Sequence, residues 1–357
     1  MNEGDAAPHS LTEIFRRLIA ATGPISLAHY MGEANARYYA SRDPLGAAGD
    51  FITAPEISQM FGELIGLWLA DMWIRAGRTE PVHYVELGPG RGTLARDALR
   101  AMKRYGLEPR IHLVESSVAL KHRQLEAVPD AVWHHDLSTV PLEGPMLLVA
   151  NEFLDALPIR QLVKTGSDIG RGWREVMVAT EGDRFVWVAG DRPMDAALPE
   201  DQREAEEGTL IETCPAAAAV VYEAAGRLAA QGGAALFIDY GHDAPRTGST
   251  LQAVRAHAKV DAFETPGEAD LTAHVDFASL APMAAARGAR WLGTVSQGAW
   301  LTALGIEQRA QALAEFAPQH RESLDLAKER LIAPDQMGEL FKVFGMAAPG
   351  WPDGVGF

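Results

Sequence analysis

The chain has 357 residues, 47% hydrophobic and 22% charged, a make-up that excludes a disordered chain and leaves room for one large or two ordinary globular domains. With 32 basic against 48 acidic residues its net charge is −16, so no basic surplus exists to neutralise nucleic-acid phosphates. The single cysteine, Cys214, excludes an intramolecular disulfide and a thiolate metal cluster, and no uncharged apolar run is long enough to span a bilayer.

Residues 1–9 are acidic and polar, without the features of a signal or transit peptide, so a cytoplasmic, bacterial-type protein is expected. Ser10 and Glu13 then form a capping box ahead of Ile14, Leu18 and Ile19 at helical spacing. Gly23-Pro24 ends that helix, a second begins near Ser26, and a turn-rich loop runs from Tyr38 to Gly49. Thr53 and Glu56, with Pro55 between them, read as another capping box opening a long apolar helix over 57–74. Strands at 82–87, 110–115, 131–135 and 146–150 follow, with helices at 93–104 and 117–127 between them, the rhythm of a parallel sheet covered by helices. The stretch 162–208 breaks this rhythm with a β-hairpin turning at Glu181-Gly182-Asp183. A helix at 216–230 and a strand at 234–239 restore it. A long irregular loop is expected over 241–273, then helices at 277–287, 299–304 and 307–324 and strands at 290–295 and 340–346.

The first of these strands runs into Glu86, Gly88, Gly90 and Gly92, directly before a helix. A phosphate-binding loop of the Gly-Lys-Ser/Thr kind is absent, and the third glycine of a dinucleotide fingerprint would fall at 93, which is Thr93. What remains is E-x-G-x-G-x-G, which resembles motif I of class I S-adenosylmethionine-dependent methyltransferases. Gly88 and Gly90 can take backbone angles closed to other residues and let the main chain press against a ligand. Glu86 can accept hydrogen bonds from water or from the ligand's ammonium group. The second strand ends in Glu115, 23 residues past Gly92, close to the roughly 20-residue offset of an acid that holds a ribose hydroxyl. The third ends at His135-Asp136, where such enzymes place an acid beside the adenine amino group. Each acid alone is an ordinary polar strand end; together with the glycines they describe a cofactor pocket.

Two further stretches, Gly49–Glu63 and Asn151–Pro158, flank this motif, joined by Tyr38-Tyr39, Asp239-Tyr240-Gly241, Asp270–Asp276 and Leu340–Val343. With them, nearly the whole chain resembles the MidA-like methyltransferases, a family that includes the mitochondrial assembly factor of respiratory complex I. The resemblance implies an α/β fold: a Rossmann-like class I methyltransferase sheet of seven mostly parallel strands, with an N-terminal helical extension and a β-rich insertion. Residues 1–78 would form the helical region and lid, and residues 79–357 the methyltransferase domain, with its insertion at about 162–208. It implies S-adenosyl-L-methionine as cofactor, held by Glu86, Gly88, Gly90, Gly92, Glu115 and Asp136 and covered by Phe51, Thr53 and Ser58, with Thr53 equally readable as a helix cap.

It also implies protein arginine methylation, with a complex I core subunit or its quinone-reductase homologue as partner, no nucleic acid and no membrane insertion. A guanidinium is protonated and its lone pair delocalised, so carboxylates that grip it can polarise one nitrogen toward a methyl group. Glu152 is the expected gripping acid, Asn151 an orienting amide, and Asp155 a second acid that lies one helical turn on if a helix starts there. A polar loop with a helix cap is the competing reading of these three. His274 and Asp276 are too few for a metal site, and none is expected. Two other functions stay open at this point: a nicotinamide-dependent oxidoreductase, disfavoured by Thr93, and an assembly chaperone that has lost catalysis, disfavoured by the intact glycines.

Overall fold

The computed structural model describes residues 10–41, 52–166, 171–198 and 202–357; Phe51 and the end of the loop expected at 38–49 lie outside them. Residue contacts divide the chain into two compact units, each built from separated segments: 1–41 with 156–216 and 246–273, and 42–155 with 217–245 and 274–357.

The second unit holds the central sheet. Its seven main strands, numbered in chain order, are β1 His83–Leu87, β2 Arg110–Val114, β3 Val132–His134, β4 Met146–Asn151, β5 Gly233–His242, β6 Arg290–Ser296 and β7 Phe341–Ala347. Their order is β3-β2-β1-β4-β5-β7-β6, with β1 to β5 parallel and β7 antiparallel to both β5 and β6. The chain winds outward through β2 and β3, then returns past β1 to β4, so the order reverses between β1 and β4. That reversal opens a crevice at the carboxyl ends of these strands. Strands β1, β4 and most of β5 are buried along their length, which matches the mainly apolar runs of β4 and β5, while β1 buries His83 and Glu86 as well.

Helix Gln59–Arg75 is apolar almost all round and is correspondingly buried, from Met60 to Trp73. It seats on helix Thr93–Lys103 because Gly66 has no side chain; a Cβ there would overlap the backbone of Ala98. The helix begins later than the Thr53–Glu56 pattern suggests. Thr53 makes no capping hydrogen bond, only the short turn Ala54–Ile57 follows it, and Ser58 caps the long helix by accepting the N–H of Met60 at 3.2 Å. Glu56 is drawn away from capping by the Thr93 hydroxyl and the Arg91 guanidinium. Glu63, an acid inside this apolar helix, has its partners: Arg309 bonds both its oxygens (2.7 and 2.9 Å) and Arg100 adds a third bond (3.0 Å). Burial pushes Glu63 up, but the bonds and charges of Arg309 and Arg100 together hold it below the usual carboxylate range. The helix expected over 307–324 is two, Ile306–Phe316 and Arg321–Ile332, interrupted at Ala317-Pro318.

In the first unit, Ser10 and Glu13 complete the capping box of helix Leu11–Thr22. The β-hairpin forms where expected, Gly172–Glu181 with Arg184–Pro193, turning through Gly182 and Asp183. Strands Ile25–Ser26, Arg160–Thr165 and Leu210–Thr213 extend it to a five-stranded antiparallel sheet. The stretch expected as loop at 241–273 carries a second small sheet, Ala258–Val260, Gln252–Arg255 and Asp270–Thr272. Asn35, on helix Leu27–Ser41, pins it by exchanging hydrogen bonds with both backbone groups of Leu271 (2.8 and 3.0 Å).

Candidate active site

At the end of β1 the backbone bends sharply through Gly88, Gly90 and Gly92, with φ of +62°, +53° and +81°. These angles favour glycine, which explains the residue type at all three positions. Gly88 stays attached to the sheet by donating its N–H to Val114 O of β2 (3.1 Å). Glu86 is buried two residues earlier and accepts the Tyr84 hydroxyl at 2.5 Å; burial pushes its carboxyl up to about 8, against the lowering effect of that bond.

Glu115 follows β2 and is buried. One oxygen accepts the N–H of Ser117 (2.7 Å) and the other the amide of Gln124 (3.1 Å). Burial raises its pKa, and the Ser117 and Gln124 bonds only partly offset it. Gln124 was not singled out by the sequence reading. It is fully buried on helix Val118–Ala127 and also donates to Gly90 O (2.8 Å) and accepts from Trp133 (2.8 Å), so one amide ties the glycine loop, Glu115 and the end of β3 together. The signal was its place four residues after Leu120, on the buried helix face, where a polar residue needs partners. Asp136 sits after β3, exposed, with its carboxylate engaged by the N–H of Ser138 (2.9 Å) as the cap of the turn Leu137–Thr139. The Ser138 hydroxyl bond holds its pKa low.

The Asn151–Asp155 segment leaves β4 beside the glycine loop. The Phe153 ring lies against Gly88, where a Cβ would come within 2.8 Å of it. Glu152 takes a left-handed backbone, φ +50°, which for a non-glycine residue costs about 1–2 kcal/mol and calls for a cause. One Glu152 oxygen accepts both the Asn151 amide (3.0 Å) and the N–H of Ala54 (3.0 Å), so the Thr53–Ala54 backbone lies against it. Burial pushes the Glu152 carboxyl up to about 7, opposed by the Ala54 N–H and raised further by Asp155. No helix starts at Asn151. The N–H groups of Phe153, Leu154 and Asp155 all point at Asp239 of β5 instead, so Asp155 sits in a turn and not one helical turn on. The Oδ1 of Asn151 is buried and finds no hydrogen-bond donor among the described residues.

The crevice thus joins a glycine cradle, the buried Glu115 after β2, the half-buried Glu152 after β4 and an orphan acceptor, all at neighbouring strand ends. This suits a nucleoside-bearing cation: glycines for close main-chain approach, Glu115 to accept hydroxyls, and Glu86 as a buried carboxyl whose ionised form a bound cation would favour. Ser58 spends its hydroxyl on capping, and Asp136 is exposed; Phe51 lies outside the described residues. No group of three His, Cys, Asp or Glu able to hold a metal occurs among the described residues, nor any helix long and apolar enough to cross a membrane.

Comparison with known proteins agrees with this chemistry. Residues 64–295 match the family described as "Putative S-adenosyl-L-methionine-dependent methyltransferase". A mouse (Mus musculus) relative named protein arginine methyltransferase NDUFAF7, mitochondrial, is 39% identical over 96% of this chain and 86% of its own length. The human (Homo sapiens) protein of that name is 37% identical over 96% and 85%. A Burkholderia thailandensis protein described as a "COG1565 superfamily member and likely methyl transferase", crystallised bound to S-adenosyl-homocysteine, superposes with a TM-score of 0.81 at 30% identity, covering 94% of this chain and 91% of that one. One expectation is corrected: the relatives are named mitochondrial, which overturns the cytoplasmic location read from the polar N-terminus.

Proposed function

The chain belongs to the S-adenosyl-L-methionine-dependent methyltransferase family, and on that footing we propose that it methylates an arginine of a protein substrate at the Asn151–Glu152 site. S-adenosyl-L-methionine is its cofactor, and when bound it supplies an electrophilic methyl group. We assign the cofactor to the Gly88–Gly92 loop with Glu86 and Glu115, with Asp136 at the exposed rim and Thr53 and Ser58 on the covering segment. The substrate named by the family resemblance is a complex I core subunit or its quinone-reductase homologue.

The observation that carries this reading is the acceptor-rich, donor-poor cluster beside the glycine loop. Glu152, with its neighbour Asn151 Oδ1 lacking a donor, offers lone pairs to a group rich in N–H, and a guanidinium is such a group. Glu152 grips and orients it, which converts a diffusional encounter into a fixed approach. A carboxyl raised to about 7 is also matched to accepting the proton a guanidinium nitrogen gives up near neutral pH. Phe153 packs against Gly88 and keeps the acceptor residue and the cofactor loop in fixed register.

The test is Glu152→Gln assayed with labelled S-adenosyl-L-methionine and the quinone-reductase subunit. The expected result is cofactor affinity near wild type with methyl incorporation reduced at least about a hundredfold. Undiminished incorporation would remove Glu152 from the reaction.

A further inference from the structure

We propose that Asp239 is a positioning residue for methyl transfer, holding Glu152 in its left-handed conformation from the neighbouring strand; this role rests on the reading of Glu152 as the acid that grips the acceptor. Asp239 is 1% exposed in β5, three residues before the strand ends. Its Oδ2 accepts the N–H groups of Phe153 (3.1 Å), Leu154 (2.9 Å) and Asp155 (3.2 Å), and its Oδ1 accepts that of Tyr240 (3.0 Å). The N–H of Glu152 itself goes to Ile238 O at 2.8 Å. Two consecutive residues of β5 therefore capture four consecutive amides, 152 to 155.

This arrangement explains the Glu152 backbone. A bulky residue stays at φ +50° only where its surroundings over-determine it. Here the amide on one side of Glu152 is fixed by Ile238 and the three on the other side converge on a single oxygen. A carboxyl oxygen suits that place, because its lone pairs can accept several N–H groups at once. An aspartate that served only to finish its own strand would bond locally; three of the four donors to Asp239 belong to the loop after β4. Burial first, then the carboxylates of Asp155 and Glu152, push the Asp239 pKa well above its ordinary value, and the amide donors offset this only in part. Holding an acid there against that repulsion costs stability, consistent with a role in setting the site.

The experiment is a double-mutant cycle on the full chain with Asp239→Asn and Glu152→Gln, reading turnover with labelled S-adenosyl-L-methionine, S-adenosyl-homocysteine affinity by calorimetry, and the melting curve. Asp239→Asn should keep cofactor affinity within about threefold while turnover falls about tenfold to a hundredfold, the scale of a misplaced reacting group. In the Glu152→Gln background the same change should cost less than about twofold, because its effect passes through Glu152. Losses that multiply independently, or full turnover in Asp239→Asn, overturn the role. If neither Asp239→Asn nor Asp239→Ser yields folded protein, Asp239 is a stability residue and the positioning role is rejected. A Glu152→Gln enzyme with full activity instead condemns the reading of the site itself.

Discussion

Replacing Gly88 by alanine perturbs two things at once, and the structure assigns each a size. The residue sits at φ +62°, where an L side chain costs about 1–2 kcal/mol. The stiffer unfolded chain returns about 0.4–1 kcal/mol, leaving a net backbone cost of about 1 kcal/mol. The new Cβ would also meet Phe153 Cδ2 at 2.8 Å, so the ring must move, and overpacking of this kind costs about 1–3 kcal/mol. The sum is about 2–4 kcal/mol. Because Phe153 follows Glu152 directly, the displacement reaches the proposed acceptor site. Urea unfolding of Gly88→Ala, Phe153→Ala and the double variant separates the two parts. In the Phe153→Ala background the alanine should cost only the backbone share, about 1 kcal/mol. Equal losses in both backgrounds would refute the contact, and a Gly88→Ala protein as stable as wild type would refute the strain as well.

Two other expectations concern buried charge. His112 bridges His83 and His134 at 2.9 Å each across β1, β2 and β3, and burial, with help from its histidine neighbours, lowers its pKa from 6.5 to about 4. A depressed histidine leaves stability unchanged above about 6.5. As pH falls from there to 4 the unfolded chain takes the proton first, removing about 3 kcal/mol. Urea midpoints at pH 7 and 4.5 should fall less steeply for His112→Gln than for wild type; parallel loss would contradict the shift. Glu63→Gln should cost about 2–3 kcal/mol by stranding Arg309 and Arg100, less than a fully buried pair because both guanidinium groups reach water. Thermal unfolding of the single variant checks this, and a loss below about 0.5 kcal/mol would show that the network is idle.

What could be read from the chain was what depends on neighbours in sequence. The glycine spacing, the acid closing β2, the Ser10–Glu13 cap and the Gly182–Asp183 turn are local patterns, and each has its counterpart in the structure. The errors arose where a distant residue outbid a local one. Thr53 and Glu56 have the spacing of a capping box, but Thr93 and Arg91 take Glu56 and the cap passes to Ser58. A helix from Asn151 was one possibility, but Asp239, more than 80 residues later, takes the amides that a helix would use. The sheet at 252–272 was hidden because its strands are only three or four residues long, too short for alternation to register. Gln124 is legible only in hindsight, as a polar residue on a helix face that tertiary packing buries.

The proposed reaction delivers a methyl group to an arginine. The direct measurement is mass spectrometry of the quinone-reductase subunit after incubation with the purified chain and S-adenosyl-L-methionine bearing a deuterated methyl group, with Glu152→Gln run beside it. A labelled methyl on an arginine side chain, absent with Glu152→Gln, is the predicted result. Label on another residue type, or none from a folded enzyme that binds S-adenosyl-homocysteine, would contradict it.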